Sequence, residues 1–397
     1  MAIQMHYTPA SELSHRITIF QKAMIRKGID GALIIQKADL YYFSGTGQNA
    51  HLYIPAHGEP LLMVKKSLNR AVEESGLKNI MALNSLKNLR EKINSPDLQD
   101  KIGLEMDVLP ARMFLNYQKL LAPSKMVDVS GIIRQVRMIK SAYEIDLLQK
   151  SADLNFMMFS EVANFIKEGI PEIELAGKLE AVYRKNGHQG AIRLRAFNSE
   201  LHYGHCLSGW NLSYPSFFDG PVGGTGTNPS YPLGAGLKKI GKNEPIMVDY
   251  IGVLNGYIVD QARMFSIGAL PDKLINAYKI ALKIKNHIVE LAVPGANGKD
   301  LYEAAYDIAV EAGLSDYLMG YEDGVSFIGH GVGIELDELP IIARGLDMLL
   351  EPGMVFALEP KFIFPDTGGA IGIEDTFVVN ENGSQQLTYF DESLHIL

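Results

Sequence analysis

Apolar residues recur along this chain with two different periods. In ELSHRITIFQKAMIRKG they fall at helical spacing, and the run stops on Gly28. GALIIQ is a short continuous apolar run bounded by polar residues, which predicts a buried strand. LYIPAHGEPLLMV predicts two strands joined at His57-Gly58, and KIGLEMDVLPARMFLNYQKLL a strand followed by a helix. This alternation predicts an α/β domain over residues 1–133. RMIKSAYEIDLLQKSADLNFMMFSEVANFIKEG then predicts a long amphipathic helix, with Ser141 and Glu144 spaced as a capping box. It opens a second domain over residues 134–397.

The second domain carries two hairpin patterns. PIMVDYIGVLNGYIVDQARMF has strand-like arms about Asn255-Gly256, a tight-turn pair. MVFALEPKFIFPDTGGAIGIEDTFVV has strand-like arms about PDTGG. Helical patterns fill Pro271 to about Gly313. SGWNLSYPSFFDGPVGGTGTNPSYPLGAG is rich in Gly, Pro, Ser and Asn, and fits either an ordered wall beside a site or a plain surface loop.

Bulk composition narrows the function classes. With 397 residues, 47% of them hydrophobic and 21% charged, the chain can bury two cores and is not a disordered polymer. A formal net charge of −9 argues against nucleic acid or an anionic membrane as partner, since both need a basic face. The single cysteine, Cys206, excludes an intramolecular disulfide and a cysteine-zinc cluster, and fits a reducing, cytoplasmic compartment. No apolar run reaches the roughly 20 residues of a spanning helix. MAIQMHYTPASELSHR lacks the basic start and apolar block of a secretory leader.

The hairpins carry the chemistry. A two-residue turn at Asn255-Gly256 sets Asp249 opposite residue 262 and makes Asp260 its diagonal neighbour, while a turn one residue earlier sets Asp249 directly opposite Asp260; both registers bring the two acids within about 5–8 Å on one face. A six-residue loop centred on Asp366-Thr367 sets Glu359 opposite Glu374. All four acids lie in apolar runs, where an unpartnered carboxylate costs several kcal/mol or takes up a proton. Two such pairs point to bound cations. His330, between Gly329 and Gly331 in FIGHGVGIELDELP, adds a nitrogen donor. Its glycines permit close backbone approach or unusual φ and ψ. Four carboxylates and one imidazole suit two divalent ions such as Mn, Co, Fe or Zn, a combination that activates water near neutral pH.

At these residues the chain resembles the creatinase/prolidase family, which includes Xaa-Pro aminopeptidases, Xaa-Pro dipeptidases and methionine aminopeptidases. The likeness runs through ADLYYFSGTG, AHGEPLLMV, KIGLEMDVL, RMIKSAYEIDLL, VDYIGVLNGYIVDQARMF, GHGVG, EPGMVFALEPKF and GIEDTFVV, and so covers nearly the whole chain. It implies an α/β N-terminal domain and an α+β pita-bread catalytic domain of two similar halves. It implies Asp249, Asp260, His330, Glu359 and Glu374 as metal ligands, Glu359 also as proton shuttle, and a homodimer. The activity implied is metal-dependent cleavage of short peptides.

Two departures bear on that activity. The family's peptidases carry a histidine seven residues after the ligand histidine; here Asp337 stands there, with the flanking Glu338 and Pro340 kept. That histidine is thought to hold the substrate carbonyl and stabilise the tetrahedral intermediate. Asp337 reads as a base beside the metals, as a donor if Glu335 and Glu338 raise its pKa, or as an exposed acidic turn. The family's SGPN followed by Pro-His is here SGWN, Ser208 to Asn211, then a longer insert ending in Pro232-Leu233. Asn211, and His202 or His205 from LHYGHC, are the candidates to line the substrate pocket. The insert from Ser213 to Tyr231 is a candidate wall that would admit only short substrates. Cys206 reads as a small buried residue, not a nucleophile. A second reading of the whole is a lyase or a non-peptide C–N hydrolase with Asp337 as base. A third is a binding module, against which the five kept ligands argue.

Overall fold

The computed structural model describes residues 5–93, 101–321 and 324–397; the first four residues of the stretch read for a leader lie outside these. Two compact units emerge, one formed by Gln4–Arg137 with Arg195–Phe197, the other by Met138–Leu194 with Asn198–Leu397.

The N-terminal unit is a mixed sheet with helices. Its strands are β1 (Gly31–Ile34), β2 (Ala50–Pro55), β3 (Leu61–Val64), β4 (Ile80–Ala82), β5 (Lys101–Leu104) and β6 (Lys125–Asp128), in the order β4-β3-β2-β1-β5-β6. The central β1-β2-β3 run is antiparallel, and the flanking pairs are parallel. The helices are α1 (Ala10–Arg26), α2 (Lys37–Ser44), α3 (Leu68–Glu74), α4 (Leu89–Ile93), α5 (Ala111–Leu120) and α6 (Ser130–Met138). α1 ends where its pattern predicts, with Gly28 in the left-handed region. Leu33, Met63, Ile102 and Leu104 of the sheet share a core with Leu89, Tyr117 and Leu121.

The second unit repeats a helix pair and a sheet. α7 (Ala142–Phe165) and α8 (Glu172–Lys185) pack on a sheet of β7 (Gly204–Ser208), β8 (Ile246–Leu254), β9 (Tyr257–Ser266) and the C-terminal β17 (His395–Ile396), ordered β17-β9-β8-β7. α9 (Asp272–Leu291) and α10 (Gly298–Glu311) accompany β10 (Phe327–Gly331), β11 (Glu338–Ala343), β12 (Val355–Leu358), β15 (Asp375–Asn380) and β16 (Gly383–Gln386), ordered β11-β10-β12-β15-β16. β13 (Lys361–Phe364) and β14 (Gly369–Gly372) form a separate antiparallel pair. This is the α+β pita-bread architecture, joined in one chain to an α/β domain.

The expected connecting helix is broken. α6 stops at Met138, and α7 starts afresh at Ala142 under a full Ser141–Glu144 capping box. The helical run after Pro271 likewise divides at Pro294-Gly295 into α9 and α10. α7 lies close on β8: Asn155 donates to Tyr250 O and accepts from Tyr183 Oη, and a Cβ on Gly252 would sit 1.9 Å from Asn155 Oδ1. A glycine at 252 is therefore what lets this helix seat on the sheet.

Candidate metal centre

Of the two expected registers, the first hairpin takes the one that turns at Asn255-Gly256. Leu254 pairs with Tyr257 across Asn255-Gly256, both of which have positive φ as a two-residue hairpin turn requires. Asp249 is opposite Ala262, and Asp260 opposite Ile251, so the two carboxylates are diagonal neighbours on one face.

The second hairpin keeps its register through a break in each arm. Val355 pairs with Val378 and Leu358 with Asp375, then Lys361 with Gly372 and Phe364 with Gly369. Glu359 and Glu374 occupy the break and face each other in the same register. The loop is four residues, Pro365 to Gly368, because pairing runs one step further than the expected six-residue loop. An antiparallel bridge between Ala262 and Glu374 then joins the two hairpins. Thr376 Oγ1 ties them again, accepting from Asp260 N at 2.9 Å and donating to Asp260 O at 2.8 Å.

His330 lies mid-sheet, opposite Ala357 on one side and Ile341 on the other. Its flanking glycines serve close approach, not unusual φ. A Cβ on Gly329 would meet Ala357 O at 2.6 Å, and one on Gly331 would meet Leu339 O at 2.3 Å. The ring's Nε2 points at the acids, 3.7 Å from Glu359 Oε1 and 3.9 Å from Glu374 Oε1. Its Nδ1 faces Gly331 O at 3.3 Å and Asp337 Oδ1 at 3.5 Å. A ligand histidine is commonly oriented in this way, through its second nitrogen.

Asp260, His330 and Glu374 present donor atoms within 4.8 Å of one another, all buried. Glu374 Oε1 is buried with no hydrogen-bond partner. Burial, then the nearby Asp249 charge, pushes the Asp260 carboxyl up to about 8 against the pull of His330 and Lys361. Glu374 is raised well above the ordinary range by burial and by Asp260. Two strained carboxylates, an imidazole nitrogen and an orphaned oxygen fit one divalent cation.

The other side of the cluster is occupied by a residue the sequence reading missed. Lys361, 1% exposed, places its ammonium 2.7 Å from Asp249 Oδ2, 2.7 Å from Glu359 Oε2 and 2.8 Å from Glu374 Oε2. Burial opposes its charge, but these three carboxylates outweigh burial and lift its pKa well above the ordinary lysine value. The signal was available: in EPKFIF, Lys361 follows Glu359 by two, which on a strand is the same face.

Asp249, Asp260, His330, Glu359, Glu374 and Asp337 line one small cavity of about 40 Å³, together with His205 and Phe218–Val222 of the insert. Asp337 sits at its open side, with 58% of its side-chain surface accessible. Partial desolvation by the adjacent cavity walls raises its pKa, as does the charge of Asp219, and His330 opposes them, all three weakened by its exposure to solvent. Glu335 and Glu338 do not act on it as expected. Glu338 turns inward instead, accepting from Ile334 N at 2.8 Å and Glu335 N at 3.0 Å, with Lys140 Nζ 3.2 Å away.

The three pocket candidates separate. His205 pairs opposite Asp249 in the sheet and enters the cavity, held neutral by burial with its Nδ1 unpartnered. His202 does not enter it. It precedes β7, outside the strand, and its ring is exposed, 3.5 Å from Glu180, against a larger neighbouring cavity. Asn211 is also outside: its amide donates to Glu172 Oε2 at 2.6 Å and its carbonyl accepts from Thr225 N, so it fixes the insert to α8. Cys206 is buried in the core between α7, α8 and β8, as its size suggested. A second cavity of about 470 Å³, lined by Ile173, Glu180, His202, Tyr231 and Leu233 among others, shares Leu201 and Gly204 with the first.

Fold and site together define a class: a two-domain chain with a buried carboxylate–imidazole cluster between two hairpins. Residues 146–381 match the model of metallopeptidase family M24, and residues 16–139 that of the creatinase/prolidase N-terminal domain. The chain is 27% identical to an Xaa-Pro dipeptidase of Pyrococcus furiosus over 96% of its own length and all of that protein's. Among solved structures, an Xaa-Pro dipeptidase from Bacillus anthracis superposes with a TM-score of 0.84 at 23% identity, covering 97% of this chain and all of the other. A prolidase from Pyrococcus furiosus does so with a TM-score of 0.76 at 26% identity, over 94% and 99%. The chain belongs to metallopeptidase family M24, an enzyme family of metal-dependent peptidases. Membership implies divalent metal ions.

Proposed function

We propose that this protein is a divalent-metal-dependent peptidase that cleaves short peptides, with Xaa-Pro dipeptides and tripeptides as the first class to try. The observation that carries the reading is the buried Asp260–His330–Glu374 donor set with its orphaned Glu374 oxygen. Asp249 and Glu359 complete the ligand shell in this reading. Mn, Co, Zn and Fe all suit such an oxygen-rich set with one nitrogen. A bound ion of this kind supplies Lewis acidity for a carbonyl and makes water reactive near neutral pH.

The chain's own residues divide the remaining work. Glu359 has one oxygen held by Lys361 and the other turned to the cavity, which suits it to carry a proton between attacking and leaving groups. His205, a neutral imidazole beside Asp249, is suited to donate a hydrogen bond to a substrate carbonyl, the work of the family histidine that Asp337 replaces. Asp337, close to His330 Nδ1 at the open side, either orients that ring or holds a proton for the substrate. Phe218–Val222 wall the cluster from water. The 40 Å³ at the carboxylates admits little beyond the reacting atoms, so the rest of a substrate would occupy the adjoining 470 Å³, which suits a short peptide. A homodimer in a reducing, cytoplasmic compartment completes the proposal, the free buried thiol of Cys206 supporting the compartment. Among the described residues no helix is long and apolar enough to cross a membrane.

The test is a substrate panel with added Mn and Co: Xaa-Pro dipeptides and tripeptides, non-peptide amines and sulfonium acids. Peptide cleavage is expected. Turnover of only the non-peptide substrates would replace this reading by the lyase or C–N hydrolase with Asp337 as base. Asp337→Asn is expected to cut turnover at least tenfold with metal content unchanged; unchanged turnover would make Asp337 a bystander.

A further inference from the structure

A pair of divalent ions needs both sides of the carboxylate cluster, and in this chain one side is taken by a covalently tethered cation. The Lys361 ammonium has three protons, and its three contacts with Asp249, Glu359 and Glu374 use all of them. They fall on one oxygen of each carboxylate. The donors on the opposite side remain turned to His330: Glu374 Oε1, Glu359 Oε1 and the Asp260 carboxyl.

The fold is built to keep the lysine there. Residue 361 opens β13, two positions after Glu359, and its side chain turns to the same cluster. Directly opposite stands Gly372, where a Cβ would lie 2.5 Å from Lys361 Cγ and 2.7 Å from its Cα. Glycine at 372 clears the path of the lysine stem across the neighbouring strand. Only 1% of Lys361 is exposed, so the head has no route to water that keeps β13 in place.

Charge leads to the same assignment. Asp249, Asp260, Glu359 and Glu374 bring four negative charges when ionised. Two divalent ions alone would balance them, and two together with a fixed ammonium would leave a buried excess of positive charge, which is costly. One divalent ion with the ammonium leaves a single negative charge, within what hydrogen bonds such as Gln261 N to Asp260 Oδ1 can carry.

We infer that Lys361 stands permanently in the place of a second metal ion, so that this M24 chain holds one catalytic ion, at Asp260, His330 and Glu374, beside an internal ammonium. The inference rests on the metal-peptidase reading but is separable from it. The lysine fixes the orientation of Asp249 and Glu359 that a second ion would otherwise fix, and it leaves the occupancy of that position independent of metal supply.

The experiment is metal counting on the full chain, with Mn as the probe. Metal-stripped protein is saturated with Mn, freed of excess, and analysed by elemental analysis and by electron paramagnetic resonance. Wild type is expected to hold about one equivalent per chain with the spectrum of isolated Mn, and Lys361→Met about two with the broadened spectrum of a coupled pair. Metal-free Lys361→Met is also expected to melt below metal-free wild type and to gain more from added Mn, because its carboxylates have lost the ammonium between them. If Lys361→Met does not fold, Lys361→Ala serves in the same comparison, and the wild-type count and spectrum decide without any variant. Two equivalents and a coupled spectrum in wild type overturn the inference and leave the metallopeptidase reading standing. One equivalent in the folded variant overturns the role of the lysine. No Mn bound by wild type overturns the inference and the reading together.

Discussion

Gly331→Ala tests how tightly the strand that carries His330 is held. The φ of Gly331 lies outside the left-handed region, so the backbone itself accepts alanine, and only space opposes it. The new Cβ would sit 2.3 Å from Leu339 O, 2.4 Å from its carbonyl carbon and 2.7 Å from Glu338 O. These are backbone atoms of the segment entering β11. That segment is pinned, because the Glu338 carboxylate accepts from Ile334 N and Glu335 N and pairs with Lys140. β10 and β11 must therefore part by roughly 1 Å to restore ordinary van der Waals contact. Overpacking of this kind costs about 1–3 kcal/mol, and a stretched ladder hydrogen bond about 1 more. The thermal midpoint should fall by roughly 4–10 °C. His330 shifts with its strand, while metal–ligand distances tolerate only about 0.2 Å, so Mn affinity should fall at least tenfold. Calorimetry and Mn titration measure both effects. Gly177→Ala is the control of opposite sign: it is an exposed site within α8 with nothing inside 4 Å of the added Cβ, and should stabilise by about 0.5–1 kcal/mol. Gly331→Ala with a midpoint within about 1 °C of wild type and undiminished Mn affinity would refute the reasoning.

Two further outcomes follow from buried charge. Lys140→Met takes one cation from the Glu338 carboxylate in a site where the two side chains are 1% and 7% exposed, and should cost about 3 kcal/mol in urea denaturation. Adding Glu338→Gln should recover part of that loss, and a Lys140→Met chain as stable as wild type would contradict the pairing. In the N-terminal unit, burial first and Lys65 second hold His51 at a pKa of about 4, so it is neutral in the fold where the unfolded chain would charge at 6.5. A depressed histidine pKa means stability that is whole above pH 6.5 and falls as acid protonates the unfolded state, by about 3 kcal/mol on reaching pH 4. Thermal denaturation of His51→Gln should lose that part of the slope, and an unchanged slope would place the acid sensitivity elsewhere.

Local contacts made much of the site legible in the sequence. Asp249 and Asp260 are tied by a two-residue turn, and Glu359 and Glu374 by a four-residue one, so a register error of one residue would throw buried acids onto the wrong face. The Ser141 capping box was equally readable because its partners lie three residues apart. Pocket membership was less so. His202 and His205 stand three apart in one short segment, and which enters the cavity depends on the phase of β7 against β8. Asn211 looked like a pocket residue from the likeness of SGWN to the family's SGPN, but its partner Glu172 is 39 positions away.

The sequence by itself determined the two carboxylate pairs, the glycine-flanked histidine and the division into an α/β and an α+β part, since each depends on periodicity or on turns a few residues long. Only the tertiary structure decided that the Ala262–Glu374 bridge fuses the pairs into one cluster, that Asp219 and not Glu335 or Glu338 presses on Asp337, and that Lys361 fills one side of the cluster. Those outcomes join segments over 100 residues apart or depend on which face a lone side chain takes. Electrostatic energy depends on distance in space, and in this chain that distance is fixed by sheet pairing that no short window of sequence contains.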